Sequence, residues 1–412
     1  MDKSSIECSP MTPFLIVSNE ICYQLTLVTV VVALAFMASK CSYNVLRQWR
    51  TKLTILVLGC DPIGLTTVLI AAKSCKTSKI ILLEEKSRKF LVAQPQQVAL
   101  DARSVQFLKR LDVDFDNIEG CWQDERFCTP LGVLQEYLFS LIERQNVNME
   151  VRLHTKLSKS IIDSLCLSKQ RTLIVVCDSS SANWSTLLSI NDEFVQESCK
   201  LYGAVAKLER MDQQQIPTPE ITVNRLNLDL SAYDGEFCIP DSSRLTFHLK
   251  IFGTLRHRII ALVCPKSDSN LLRQLRMTAN PWIMRNIFQE SYNAYRLKTE
   301  PRLTDAATRN VKCSHRLFEV KLSYRRENVL FIEEDNIVIT MEGHAARSLN
   351  LNSGLGVNLG IRALENMNNF ITNVSHSDSS AAILETLIRK NKSAIKTSED
   401  FIRGGIHTVM YC

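Results

Sequence analysis

The chain contains no CxxC pair, although it carries 14 cysteines. Their spacings give neither a zinc pattern nor a dense disulfide framework, so free thiols in a reducing compartment are expected. Internal repeats and low-complexity tracts are missing too, which excludes a repeat architecture. Charge of one sign is not concentrated anywhere. The net charge of +6 is spread over 412 residues, and no nucleic-acid surface is expected. His154, His248, His257 and His315 stand singly, and no protein nucleophile or metal cluster is visible. A hydrophobic content of 45% is enough for a sizeable core. The length suggests two or three structural units at roughly 150 residues each.

One stretch is unusually apolar. Residues 21–39, from Ile21 to Ser39, carry no charge and lie between Glu20 and Lys40. At about 1.5 Å of helical rise per residue, the run nearly spans a hydrocarbon core. It follows a polar N-terminus, residues 1–20, and precedes a basic linker, residues 40–52, with Lys40, Arg47, Arg50 and Lys52. The charge bias predicts a single-pass membrane protein with its large C-terminal part in the cytoplasm. A signal peptide and a buried helix are the competing readings.

The rest of the chain is organised around Leu53 to Gly64. Leu-Thr-Ile-Leu-Val-Leu reads as a buried parallel strand that stops at Gly59. Gly59 and Gly64 bracket a tight turn into a helix from Leu65, and Lys79 to Leu83 forms a second apolar strand ending at Glu84. This is the first half of a dinucleotide-binding unit, with a helix N-terminus aimed at a pyrophosphate and Glu84 placed for a ribose hydroxyl. One residue departs from the fingerprint. Asp61 occupies the position of the second glycine, which lets the backbone approach the pyrophosphate.

Further along, Val98 to Leu111 and Pro130 to Arg144 have helical spacing, and Thr172 to Val176 is a short strand ending in Cys177-Asp178. From about residue 191 to 326 the pattern shifts to antiparallel signals: Ile221 to Leu230 alternates, and Leu245 to Cys264 reads as two strands joined near Gly253. Ser269 to Leu297 reads as helical, with Pro281 opening a helix. Near the end, Met341 to Asn366 is a glycine-punctuated loop running into a helix from about Leu355, followed by amphipathic helices over residues 380–403.

Three of these segments together resemble the FAD-dependent monooxygenases of the aromatic-hydroxylase family, with a p-hydroxybenzoate-hydroxylase-like fold. The likeness covers roughly residues 53–375. The fingerprint is Gly59-Cys-Asp61-Pro62-Ile-Gly64 with Glu84. The family's Asp-Gly motif falls on Asp178-Ser179. Its late Gly-Asp motif falls on Gly343-His344-Ala345-Ala346-Arg347, followed by Gly354, Gly356, Asn358 and Gly360 at matching spacing. The resemblance implies an α/β fold: a Rossmann-like FAD/NAD(P)-binding domain in two parts, 53–190 and 327–375, around a mixed sheet-plus-helix substrate domain, 191–326, with C-terminal helices over 376–412. It implies FAD held by Gly59, Gly64, Glu84, Arg103, Gln135, Asp178, Gly343, Gly354, Gly356 and Asn358. NAD(P)H would be the electron donor, and a small apolar or aromatic substrate would lie between the domains.

The departures sit at cofactor-facing positions: Asp61 and Ser179 for glycines, Ala182 for a serine, His344 for the ribityl-binding aspartate and Leu351 for a proline. They are expected to reduce or remove demand for FAD, and Asp61 and His344 are expected to face each other. Two functions stay open, a membrane-anchored FAD monooxygenase and a non-catalytic binding or scaffold protein on the same frame.

Overall fold

The computed structural model describes residues 27–40, 52–167, 170–177, 183–190, 193–228, 245–278, 280–309 and 311–411. The chain divides into two units, Met1–Lys52 and Leu53–Cys412. In the first unit the described residues form one helix, 27–40. Among the described residues no helix is long and apolar enough to cross a membrane. The expected span over residues 21–39 is therefore not supported among these residues; its positions 21–26 lie outside them, as do residues 1–20 and most of the linker.

The second unit is built on two large sheets. The first has the order Val329–Ile332, Ile337–Met341, Thr172–Val176, Leu53–Leu58, Thr77–Leu83, Met149–Arg152. All neighbours are parallel except the first pair. The uninterrupted aliphatic run of Leu53–Leu58 follows from burial on both faces. Leu53, Ile55 and Val57 pack with Leu65, Val68 and Leu69 of the helix Pro62–Lys73 and with Leu134 and Leu138 of the helix Leu131–Glu143. Leu56 and Leu58 pack on the other face with Leu165, Trp184 and Leu188.

The second sheet is antiparallel, in the order Arg347–Leu349, Phe318–Arg325, Phe194–Glu209, His257–Pro265, Leu245–Gly253, Ile221–Leu228. The helices Asn270–Met277 and Pro281–Tyr295 cover one face through Leu271, Leu275, Ile283, Ile287 and Phe288. A mixed α/β architecture with one parallel and one antiparallel sheet is therefore present. Its long central strand, Phe194–Glu209, carries no clear signal in the sequence: Gln196, Glu197 and Ser198 interrupt it, and Lys200 takes a φ of 58° where the pairing register shifts.

Val98 to Leu111 is not one helix. Gln97–Leu100 is a strand of a third, small sheet with Arg126–Pro130 and Cys121–Gln123, and the helix begins only at Ala102. Asp101 separates the two as N-cap, accepting the Ser104 N–H at 2.7 Å. Two glutamines fasten this small sheet to the segment before the strand Ile221–Leu228. Gln97 exchanges hydrogen bonds with the Thr218 backbone at 2.7 and 3.0 Å, and Gln123 does the same with Glu220 at 2.8 and 2.8 Å.

The chain passes from one large sheet to the other within a few residues. It leaves the parallel sheet at Met341, makes a short helical turn over Gly343–Ala346, and enters the antiparallel sheet at Arg347.

Candidate functional site

The C-terminal ends of the parallel strands form the crevice where open α/β sheets bind ligands. The first strand ends at Gly59, whose φ is +103°, a conformation that suits glycine. Gly64 is required for another reason: a Cβ there would run into the Gly59 carbonyl. These two glycines serve the turn itself, and neither lines the main cleft. That cleft has a volume of about 470 Å³ and is lined by Asp61, Glu84, Gln135, Gly343, His344, Arg347, Gly354 and Gly356 on its polar sides. Phe252, Ile259, Leu351, Leu355 and Phe401 add apolar walls. The size is in the usual range for a small-molecule site.

Asp61 is the N-cap of the helix Pro62–Lys73. Its carboxylate accepts the Gly64 N–H at 2.7 Å, and Pro62 occupies the first helical turn, where its missing N–H costs nothing. The helix start is thus closed by the chain's own anion. Glu84 is buried, and its oxygens accept the N–H groups of Cys60 at 2.7 Å and Lys86 at 2.8 Å, which ties the turn to the second strand. Each carboxylate oxygen keeps a further acceptor position.

Gln135 is buried, and its Nε2 donates to the Cys60 carbonyl at 2.9 Å. Its Oε1 is buried without a hydrogen-bond partner.

In the late motif, Gly343 and Gly354 have φ of +55° and +77°. A Cβ on Gly343 would press on Ile63, which keeps this turn close to the fingerprint helix. Asn358 points away from the cleft. Its Oδ1 accepts the Asp101 N–H at 3.1 Å and its Nδ2 donates to the Ala99 carbonyl at 2.8 Å, joining the helix Gly356–Leu364 to the small sheet. Arg362, on the same helix, makes an ion pair with Asp101. Arg103 is 62% exposed at its side chain and forms a two-pronged pair with Glu365 at 2.5 and 2.6 Å, outside the cleft. Asp178, Ser179 and Ala182 lie outside the described residues.

Of the expected site residues, the fold brings Glu84, Gln135, Gly343, Gly354 and Gly356 to one cleft, together with Asp61 and His344. Leu351 joins the apolar wall there.

A residue to which the sequence reading gave no role completes the site. Arg347 lines the cleft and is 5% exposed. Its Nε, Nη1 and Nη2 are all buried without a hydrogen-bond partner. Burial pulls its pKa below the ordinary value, against the field of Glu342, which raises it. Glu342 Oε1 lies 2.5 Å from the Lys390 ammonium, while its Oε2 is buried without a hydrogen-bond partner.

The residues fit the diphosphate of a dinucleotide poorly. A helix N-terminus favours an anion by roughly 0.3–1 kcal/mol, up to about 2. Two like unit charges about 4 Å apart at an effective dielectric of about 20 oppose each other by about 4 kcal/mol. The Asp61 carboxylate already holds the amide that a phosphate would use, so repulsion outweighs the dipole.

No family model matches the sequence, and no curated protein matches it. Solved structures similar to the chain include tetracycline destructase Tet(51), at 10% identity over 86% of this chain and 90% of that one, with a TM-score of 0.45. They also include p-nitrophenol 4-monooxygenase PnpA from Pseudomonas putida DLL-E4, at 13% identity over 87% and 95%, with a TM-score of 0.45. The Diels-Alderase PyrE3 has 12% identity over 84% of this chain and 73% of that one, with a TM-score of 0.43. At these values the likeness assigns neither a family nor a chemistry.

Proposed function

We propose that the chain is a small-ligand binding protein built on a dinucleotide-binding frame that no longer takes a dinucleotide in the ordinary way. The observation that carries this reading is the Asp61 carboxylate on the Gly64 N–H, at the point where a pyrophosphate would lie. The ligand occupies the cleft between the parallel and antiparallel sheets, where Gln135 and Arg347 offer polar atoms that nothing in the described fold engages. The absorption spectrum of the purified full chain, recorded after incubation with FAD and gel filtration, tests it. A colourless, folded protein is expected. A stoichiometric flavin band that travels with the protein overturns the reading.

The second reading, an FAD-dependent monooxygenase reduced by NAD(P)H and acting on an apolar or aromatic substrate, is favoured by Glu84. It ends the second strand, lines the cleft and keeps acceptor positions for a ribose. FAD, if held, would supply the redox chemistry. The chain's contribution would be to orient the ribose at Glu84 and to exclude water with Phe252 and Phe401. Oxygen uptake with NADPH by flavin-loaded protein is the assay for it.

A further inference from the structure

We infer that Arg347 is the anion seat of the cleft and that its ligand is an organic monocarboxylate with an apolar body. The inference rests on the binding reading above and names its ligand class. Three charged groups lie together here: Arg347, Glu342 and Lys390. Glu342 and Lys390 are paired, with side chains 1% and 7% exposed. Their charges cancel, which leaves the buried guanidinium as an excess cation. No ion pair joins Arg347 to Glu342. A buried ion without a counter-charge costs several kcal/mol. Buried polar groups left unmatched in a native fold call for an explanation such as an ion or ligand.

The surroundings narrow the class. Asp61 and Glu84 line the same cleft on the parallel-sheet side together with Lys86, so a multiply charged phosphate meets two carboxylates against one ammonium there. A single negative charge meets less repulsion. The guanidinium fork matches a planar carboxylate with two parallel N–H···O bonds. Phe252, Ile259, Leu351 and Phe401 supply apolar contacts for the rest of the molecule. Gln135 Oε1, the other unmatched buried atom in the cleft, favours ligands that also carry a hydroxyl or amine.

The test compares octanoate with octanol on the full chain by titration calorimetry. The two probes share a chain and differ in the charged group. Hydrogen bonds to a charged partner contribute about 1.5–3 kcal/mol, so octanoate should bind at least about tenfold more tightly. Arg347→Met should abolish that preference and leave octanol binding unchanged, while Arg347→Lys should keep part of it. Equal binding of both probes to the wild-type chain overturns the inference without need of any variant. That is the result expected if Arg347 simply closes onto Glu342 in solution. Retention of octanoate selectivity in a folded Arg347→Met protein overturns it as well. Competition with FAD separates the two proposals. Octanoate selectivity together with stoichiometric FAD binding removes the reading that excludes a dinucleotide and leaves the Arg347 seat standing. Absence of both removes only the seat.

Discussion

Replacing Asp61 by alanine removes the carboxylate that caps the fingerprint helix and should cost about 1 kcal/mol in urea denaturation, the usual loss for an N-cap. Asp61→Gly should cost only a few tenths, because glycine is itself an acceptable cap. The same change frees the Gly64 amide for an outside anion. Combined with His344→Asp, it restores two of the positions at which the chain departs from the flavin-binding pattern. The double variant should therefore retain more FAD after gel filtration than the wild-type chain. Unchanged flavin occupancy would show that these two residues are not what keeps the cofactor out. Gly64→Ala is a contrasting case. Its methyl would meet the Gly59 carbonyl, so the turn must open, and a clear loss of stability is expected whatever ligand is present.

Among the elements, the joint between the helix Gly356–Leu364 and the small sheet is where sequence reasoning and structure part. Asn358→Ala abandons the Asp101 N–H and the Ala99 carbonyl, at about 1–3 kcal/mol for each buried group left unmatched. Arg103→Ala breaks an exposed pair and should change stability by no more than about 1 kcal/mol. A large effect of Arg103→Ala on ligand binding would contradict its place outside the cleft. Asp101 adds a pH dependence. Burial pushes its carboxyl up, but the Ser104 N–H and the Arg362 guanidinium outweigh that and hold it below its ordinary value near 3.8. The folded form thus favours the ionised carboxylate. Its contribution is complete above that ordinary value and is lost as pH falls below it. Urea melts of wild type and Asp101→Asn should differ at about pH 7, and the difference should shrink progressively as pH falls below 3.8. A constant difference would place the effect elsewhere.

The strand Leu53–Leu58 was legible because both of its faces are buried, so its aliphatic run has only one use. The strands on either side of Gly253 were legible from their apolar runs and the glycine between them. Val98 and Leu100 fit a helix as well as a strand when read alone, and only the cap at Asp101, fixed by its contacts, separates the two. Glu84 and the glycine loop could be placed from local order. The burial of Arg347 could not, because it depends on pairing between Arg347–Leu349 and Phe318–Arg325, where Arg347 lies opposite Tyr324.

At the scale of the whole molecule, the small sheet is docked by Gln97 and Gln123 acting as stand-ins for backbone. Gln97→Ala leaves the Thr218 amide and carbonyl unmatched and should raise amide exchange across residues 97–130 while the parallel sheet stays protected. Equal exchange in both regions would mean that the small sheet never opens on its own. The short passage from Met341 to Arg347 has a different outcome. Two sheets sewn together by so little chain have no slack between them, so neither can come apart while the other keeps its geometry. Heat should therefore melt them as one body. A variant keeping only Trp184, packed on the parallel sheet, and one keeping only Trp282, on a helix of the antiparallel sheet, would report the same midpoint.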